Sequence, residues 1–290
     1  MRQQDFIAVR KLGAVLVLLL GVLMLAPWVL RPAETAGPCT LVNGPVSLPG
    51  LVESSGLAVG RRNPGVLWSH NDSGNAAVLF AFNTRGALQG QVRVPVATRD
   101  WEDVSAARCG SKDCLYIADI GDNRRVRQQV TIYRVPEPAP ADSDTARPEV
   151  FIATYADGPH NAEAMFVIDE DLFIVSRDRS GLVYRSRLTN GSHALRFERA
   201  GQLNLSQVSD AETSTDGASV AVRTSDEVVL YRTAEVMAGK FSPYLSIPIG
   251  GLREAQGEAV ALDGNMLYLS SEGGFSRCGS FLSLRCSLSQ

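Results

Sequence analysis

Beyond one long apolar stretch near the N-terminus, hydrophobic positions recur in short runs, many of them alternating with polar residues. Gly, Asn, Asp and Pro separate the runs. This pattern predicts strands joined by tight turns. GLAV, GVLWSH, AVLFAFN and QGQVRVPV make a first group of four, with turns expected at 71–74 and 84–86. The same order returns in DVSAARC, CLYIADIGDN, VTIYRVPEP and EVFIATYADG. It returns in AMFVID, DLFIVSRDRSG, LVYRSRL and ALRFERAGQLNL, and in TSTDG, ASVAVRTSD, EVVLYRTAE and YLSIPIGGL. The last group has only three runs, AVALDG, NMLYLSSEGG and SFLSLRC. The segment CTLVNGPVSLPG, ahead of the first group, belongs to none of them.

An acidic phrase precedes each group, at Glu53, Glu102, Glu163, Glu212 and Glu258, with intervals of 49, 61, 49 and 46 residues. Periods of this size in an all-β chain predict radial repetition. The expected fold is therefore a five-bladed β-propeller over 39–290. The orphan strand at Thr40–Leu48 supplies the missing strand of the fifth blade and leaves no long open edge. A β-sandwich also has regular short strands, but it gives no reason for one acidic phrase per four strands. The longest interval contains Pro136-Glu-Pro-Ala-Pro140 and Asp142-Ser-Asp144, read as a polar loop inside the second blade.

If each glutamate starts an innermost strand, five carboxylates converge on one axis. Like charges so placed repel unless a cation lies among them. Oxygen ligands without repeated His or Cys suit a hard ion, so the expected cofactor is Ca2+. Asp100 and Asp210 precede two of the glutamates at matched offsets and are further expected ligands. The ends of the second strands carry Asn71, Asp72, Asp119, Asp122, Asn123, Arg177, Arg223 and Glu272, expected to form a ligand-binding mouth. Arg177 and Arg223 suit an anionic group held by a planar fork of donors.

The N-terminus changes the setting. Arg2, Arg10 and Lys11 precede an uncharged run from Leu12 to Leu30, with Arg31 alone after it. Nineteen apolar residues just span a bilayer core, which needs about 20. The expectation for 1–38 is one transmembrane signal-anchor helix and linker, with the N-terminus cytoplasmic and the remainder outside. A cleaved signal peptide is the alternative, and would give a secreted protein. Residues 1–38 carry +2, which leaves −5 for the rest from a total of −3. With no basic stripe, nucleic acid is not an expected partner.

Five cysteines agree with an oxidising compartment. Cys109 and Cys114 flank a tight loop and are expected to pair. Antiparallel pairing of Thr40–Leu48 with Ser280–Cys286 brings Cys39 to Cys286. Cys278 and Cys286 would lie about 25 Å apart along an extended strand at about 3.3 Å per residue, beyond disulfide reach.

The strings ESSGLAV, PGVLWSHNDSG, DWEDVSAA, LYIADIGDN, RVPEP, HNAEAMFV and GEAVAL resemble those of a family of exported bacterial propeller proteins, from about Leu51 to Glu272. The resemblance implies the fold and export, and no established reaction. More distantly the arrangement is similar to calcium-dependent nucleotidases and β-propeller phytases, a likeness of fold that transfers no catalytic residue. The resulting reading is a membrane-anchored extracytoplasmic propeller with calcium in its channel, binding a ligand or a cell-surface partner. The alternative is a metal-dependent hydrolase of phosphate esters or anhydrides.

Overall fold

The computed structural model describes residues 35–189, 191–252, 254–274 and 278–288. The expected transmembrane segment lies outside them. Among the described residues no helix is long and apolar enough to cross a membrane. The described chain is nearly all β, with one short helix, α1 (Thr233–Met237).

The strands form consecutive antiparallel meanders. The first contains β3 (Ser54–Val59), β4 (Val66–Asn71), β5 (Val78–Asn83) and β6 (Leu88–Arg93). The next contains β7 (Trp101–Cys109), β8 (Lys112–Asp119), β9 (Val130–Pro136) and β10 (Glu149–Tyr155). It is followed by β11 (Ala162–Ile168), β12 (Asp171–Ser176), β13 (Leu182–Arg187) and β14 (Ala194–Gln202). These two share one sheet, because β10 pairs in parallel with β14. Then come β15 (Asp210–Thr213), β16 (Ser219–Arg223), β17 (Glu227–Arg232) and β18 (Leu245–Pro248). The last sheet joins β19 (Gln256–Asp263), β20 (Met266–Glu272) and β21 (Gly279–Cys286) to β2 (Cys39–Leu48), with β1 (Thr35–Ala36) at its edge.

The orphan segment thus lies where the pattern placed it. β2 runs antiparallel to β21 and the register puts Cys39 opposite Cys286. Both expected disulfides, Cys39–Cys286 and Cys109–Cys114, are present.

The first strand of each meander packs on the next. β3 meets β7, β7 meets β11, β11 meets β15, β15 meets β19, and β19 returns to β3. Apolar clusters fill the spaces between sheets. Trp68 and Trp101 share one with Leu115 and Val135, and Phe166 and Phe173 share another with Val222 and Tyr231. Burying such aromatic side chains contributes much of the driving force.

The inner strands do not share a ladder with one another, so side chains connect them. Ser55 Oγ donates to Glu102 O at 2.6 Å, and Thr213 Oγ1 donates to Val167 O at 2.8 Å. The Asp103 carboxylate accepts the Met165 N–H at 2.6 Å, and that of Asp210 accepts the Val260 N–H at 2.6 Å. Glu212 accepts the Ala106 N–H at 2.9 Å and the Ser105 hydroxyl. Buried backbone donors are thereby satisfied where the sheets separate.

Candidate functional site

The inner strands carry a repeated irregularity. Register slips by one residue at Glu102 in β7, at Glu163 in β11 and at Glu258 in β19. Each glutamate is the extra residue of a bulge, a feature that re-aims a side chain. In β3 the slip falls at Gly56. Asp210 bonds to the next inner strand as Asp103 does, so Ser209 stands where Glu102 stands. The structurally equivalent set is therefore Gly56, Glu102, Glu163, Ser209 and Glu258.

This corrects the expected ring of five glutamates. Glu53 lies three residues before Gly56 and is exposed at the rim, where it accepts from Asn75 at 2.6 Å. Glu212 lies three residues past Ser209 and is buried among backbone donors. Asp210 is fully buried beside Asp103. Gly56 has a physical reason: a Cβ there would stand 2.6 Å from Val104 N and 2.8 Å from Asp103 Oδ1.

Three carboxylates meet instead at Asp72, Asp100 and Glu102, with one oxygen from each within 4.8 Å of the others. Glu102 is only 3% exposed. Among the described residues its carboxylate accepts no hydrogen bond. Burial and the charges of Glu163, Asp72 and Asp100 push its pKa well above the usual carboxylate range. Burial, and then Asp100, Glu53 and Glu258, raise Asp72 to about 6. Glu163 is raised to about 7, mainly by burial and against the pull of Arg177. Glu272 is also raised to about 7, by burial and then by Glu258, Asp72 and Glu53. These acids share one field at one mouth, and removing their mutual repulsion requires protons or a cation.

The DIGDN segment builds the wall beside this trio. Asp119 accepts the Arg99 and Asp100 N–H groups at 3.0 and 3.2 Å, and pairs with buried Arg127 at 2.7 Å. Asp122 accepts the Arg127 N–H at 2.6 Å. Its own N–H donates to Asn161 at 2.9 Å. A Cβ on Gly121 would come within 2.0 Å of Glu102 Oε1 and 2.5 Å of Asp100 Oδ2. Asp119 and Asp122, expected to meet a ligand, are occupied in holding Asp100 and this glycine. Asn123 is exposed and accepts from Asn161 at 3.2 Å. Asn71 likewise turns inward, accepting the Val52 and Glu53 N–H groups at 2.9 and 3.0 Å.

The two arginines separate. Arg223 is fully buried, donating to Glu254 at 2.5 Å, Ala259 O at 2.7 Å and Ser270 O at 3.3 Å. It joins β16 to β19 and β20, below the mouth. Arg177 is at the mouth, half-buried, bonded to Glu163 and to Gln207 Oε1 at 3.2 Å.

No protein-family model matches the chain, and no curated protein matches it. Solved structures do. A chain of the mitotic checkpoint complex matches at 12% identity and TM-score 0.38, over 91% of this chain and 68% of that one. The WD40 repeats of RRP9 match at 16% identity and TM-score 0.40, over 80% and 67%. A putative 6-phosphogluconolactonase from Bacteroides uniformis matches at 14% identity and TM-score 0.42, over 80% and 66%. These likenesses are too distant to bear on function.

Proposed function

We propose that the chain is a five-bladed propeller of the exported bacterial family described above, and that it binds a divalent cation, calcium by preference, through Asp72, Asp100 and Glu102. The observation behind the cation is Glu102: a buried carboxylate with no hydrogen-bond donor, beside two further acids. A single unpaired buried charge is costly, and a bound cation removes that cost. All three donors are carboxylate oxygens, which suits a hard ion. The closed sequence of inner-strand contacts, β3 to β19 and back, supports the five-blade reading.

The role is binding or scaffolding, with the cation ordering the mouth. Isothermal titration calorimetry of the chelator-stripped protein with calcium tests this. Heat of binding with a rise in melting temperature is expected, about 2.7 kcal/mol of stabilisation at a hundredfold excess over Kd. Absence of both would end the cation reading. Turnover of a phosphate-ester panel that depends on calcium would favour the hydrolase instead.

The apolar run from Leu12 to Leu30 and its flanking bases support an anchor, with the propeller outside the membrane. Full-length protein in the membrane fraction, open to external protease, is the expected outcome. A soluble form starting near Gly37 would show a cleaved signal.

A further inference from the structure

A cavity of about 280 Å³ is walled by Arg177, Gln207, Ser209, Glu254, Gln256 and Glu258. Glu258 relates this cavity to the cation trio. It lines the cavity and holds on β19 the bulge position that Glu102 holds on β7. Arg177, in the cavity wall, bonds to Glu163, the matching residue of β11, which packs on β7.

The cavity has unmet hydrogen-bonding capacity. Arg177 spends Nε on Gln207 and Nη1 on Glu163, which leaves Nη2 unpaired among the described residues. Its side chain is 31% exposed. Ser209 is 4% exposed, yet among the described residues its Oγ has no partner. Glu254 gives one oxygen to Arg223, and its buried Oε1 has no partner among them either. Buried polar atoms are normally paired, so Ser209 Oγ and Glu254 Oε1, with the half-exposed Arg177 Nη2 near them, define a complement. Two donors, Arg177 Nη2 and the Ser209 hydroxyl, ask for an oxyanion. One carboxylate oxygen, Glu254 Oε1, asks for a hydroxyl donor.

We infer that this cavity is the ligand subsite of the mouth, and that it takes a small hydroxylated oxyanion of the sugar-acid or sugar-phosphate class. The inference rests on the cation reading, because calcium at Asp72, Asp100 and Glu102 offsets the acidic field that would otherwise repel an anion. The oxyanion lies between that cation and Arg177, and a ligand hydroxyl donates to Glu254. Among the described residues no aromatic side chain lines the cavity, so recognition is by hydrogen bonds and charge. The volume lies near the lower end of small-molecule sites, about 300 Å³, and suits a ligand of monosaccharide size.

The test is calorimetry of the full ectodomain at saturating calcium, with glucose 6-phosphate, glucuronate, glucose and acetate as probes. Glucose 6-phosphate or glucuronate should bind at least about tenfold more tightly than glucose or acetate, since each control lacks one half of the complement. Arg177→Gln should weaken the favoured probe about tenfold or more. The same change should tighten calcium binding, because a neighbouring positive charge is removed. Ser209→Ala should weaken the probe by a smaller factor. Calcium binding without preference for a charged, hydroxylated probe overturns the ligand inference and leaves the cation reading standing. If calcium does not bind, the cation reading fails. The probes are then run without it, and absence of binding there overturns the ligand inference too.

Discussion

Asp103 and Asp210, on strands β7 and β15 that are not neighbours in the ring, set two fully buried carboxylates within each other's field. Each gives one oxygen to a backbone N–H of the following inner strand. The other oxygen of each, Asp103 Oδ1 and Asp210 Oδ1, has no hydrogen-bond partner among the described residues.

That arrangement sets the pH dependence of stability. Burial raises Asp210 to about 7, and burial with the Asp210 charge raises Asp103 well above the usual range. Glu212 is raised as well, chiefly by burial. In the unfolded chain such groups titrate near pH 4. A folded-state pKa raised above the unfolded one stabilises fully below the unfolded value and loses its contribution as pH rises through the folded value. The calcium-free protein is therefore expected to lose stability as pH rises from about 4 through about 7, where folded Asp210 gives up its proton. The loss approaches about 1.4 kcal/mol per pH unit for each proton that the folded state alone retains. Asp103→Asn places a permanent donor in the pair, so it should flatten that loss. Thermal melts across pH in chelator check it. Equal slopes for wild type and variant would show that the pair does not hold the proton.

Glu102→Gln separates a cation ligand from an ordinary structural carboxylate. Without calcium, and at a pH high enough to ionise Glu102, the variant should melt higher than wild type, because a buried charge among like charges is removed. With calcium it should show little or no further rise. A variant that melts lower in both conditions would make Glu102 structural. In the wild type, calcium must displace protons from Asp72, at about 6, and from Glu102, which burial and its acidic neighbours hold well above the usual carboxylate range. Affinity should then climb from pH 5.5 toward pH 8, by up to about tenfold per pH unit for each proton released. Calorimetry in buffers of different ionisation heat reports that proton release.

The Cys39–Cys286 bridge closes the chain over 247 residues, against 5 for Cys109–Cys114. On the chain-entropy account the long closure is worth more. Paired Cys39→Ser and Cys286→Ser changes should cost about 2–5 kcal/mol. Paired changes at Cys109 and Cys114 should cost less. Urea unfolding measures both, and the reverse order would mean that β2 stays on β21 without the bridge.

Glu137 is a further site of strong sensitivity. It is completely buried, and accepts from the N–H groups of Arg61 at 2.8 Å, Arg62 at 2.7 Å and Asn63 at 3.3 Å. The Asn63 amide adds a bond at 2.7 Å and the Trp68 indole one at 3.0 Å. Glu137→Ala leaves these donors unmet and should cost about 3–5 kcal/mol in urea unfolding. A loss below about 1 kcal/mol would show that water replaces the carboxylate.

The alternating runs and Gly-containing turns of this sequence determine its strands and their grouping, because strand pairing buries one face and leaves tight turns to a few residue types. The orphan segment, the shortened last group and the cysteine positions determine ring closure, since an unpaired edge strand and two facing cysteines admit few other solutions. The acidic chemistry was also legible, but not which acids meet. Glu53 and Glu212 read as repeats of Glu102, yet the bulge in β3 puts Gly56 in that place and the bond from Asp210 to the next inner strand puts Ser209 there. A bulge is fixed by hydrogen bonds to the neighbouring strand, so its position is not written in the local pattern. Only the tertiary structure turns Arg223, Asp119 and Asn71 inward to satisfy buried groups. Only it leaves Asp72, Asp100, Glu102 and Arg177 at the mouth, because burial and partners decide whether a polar side chain is spent on the fold or left for a ligand.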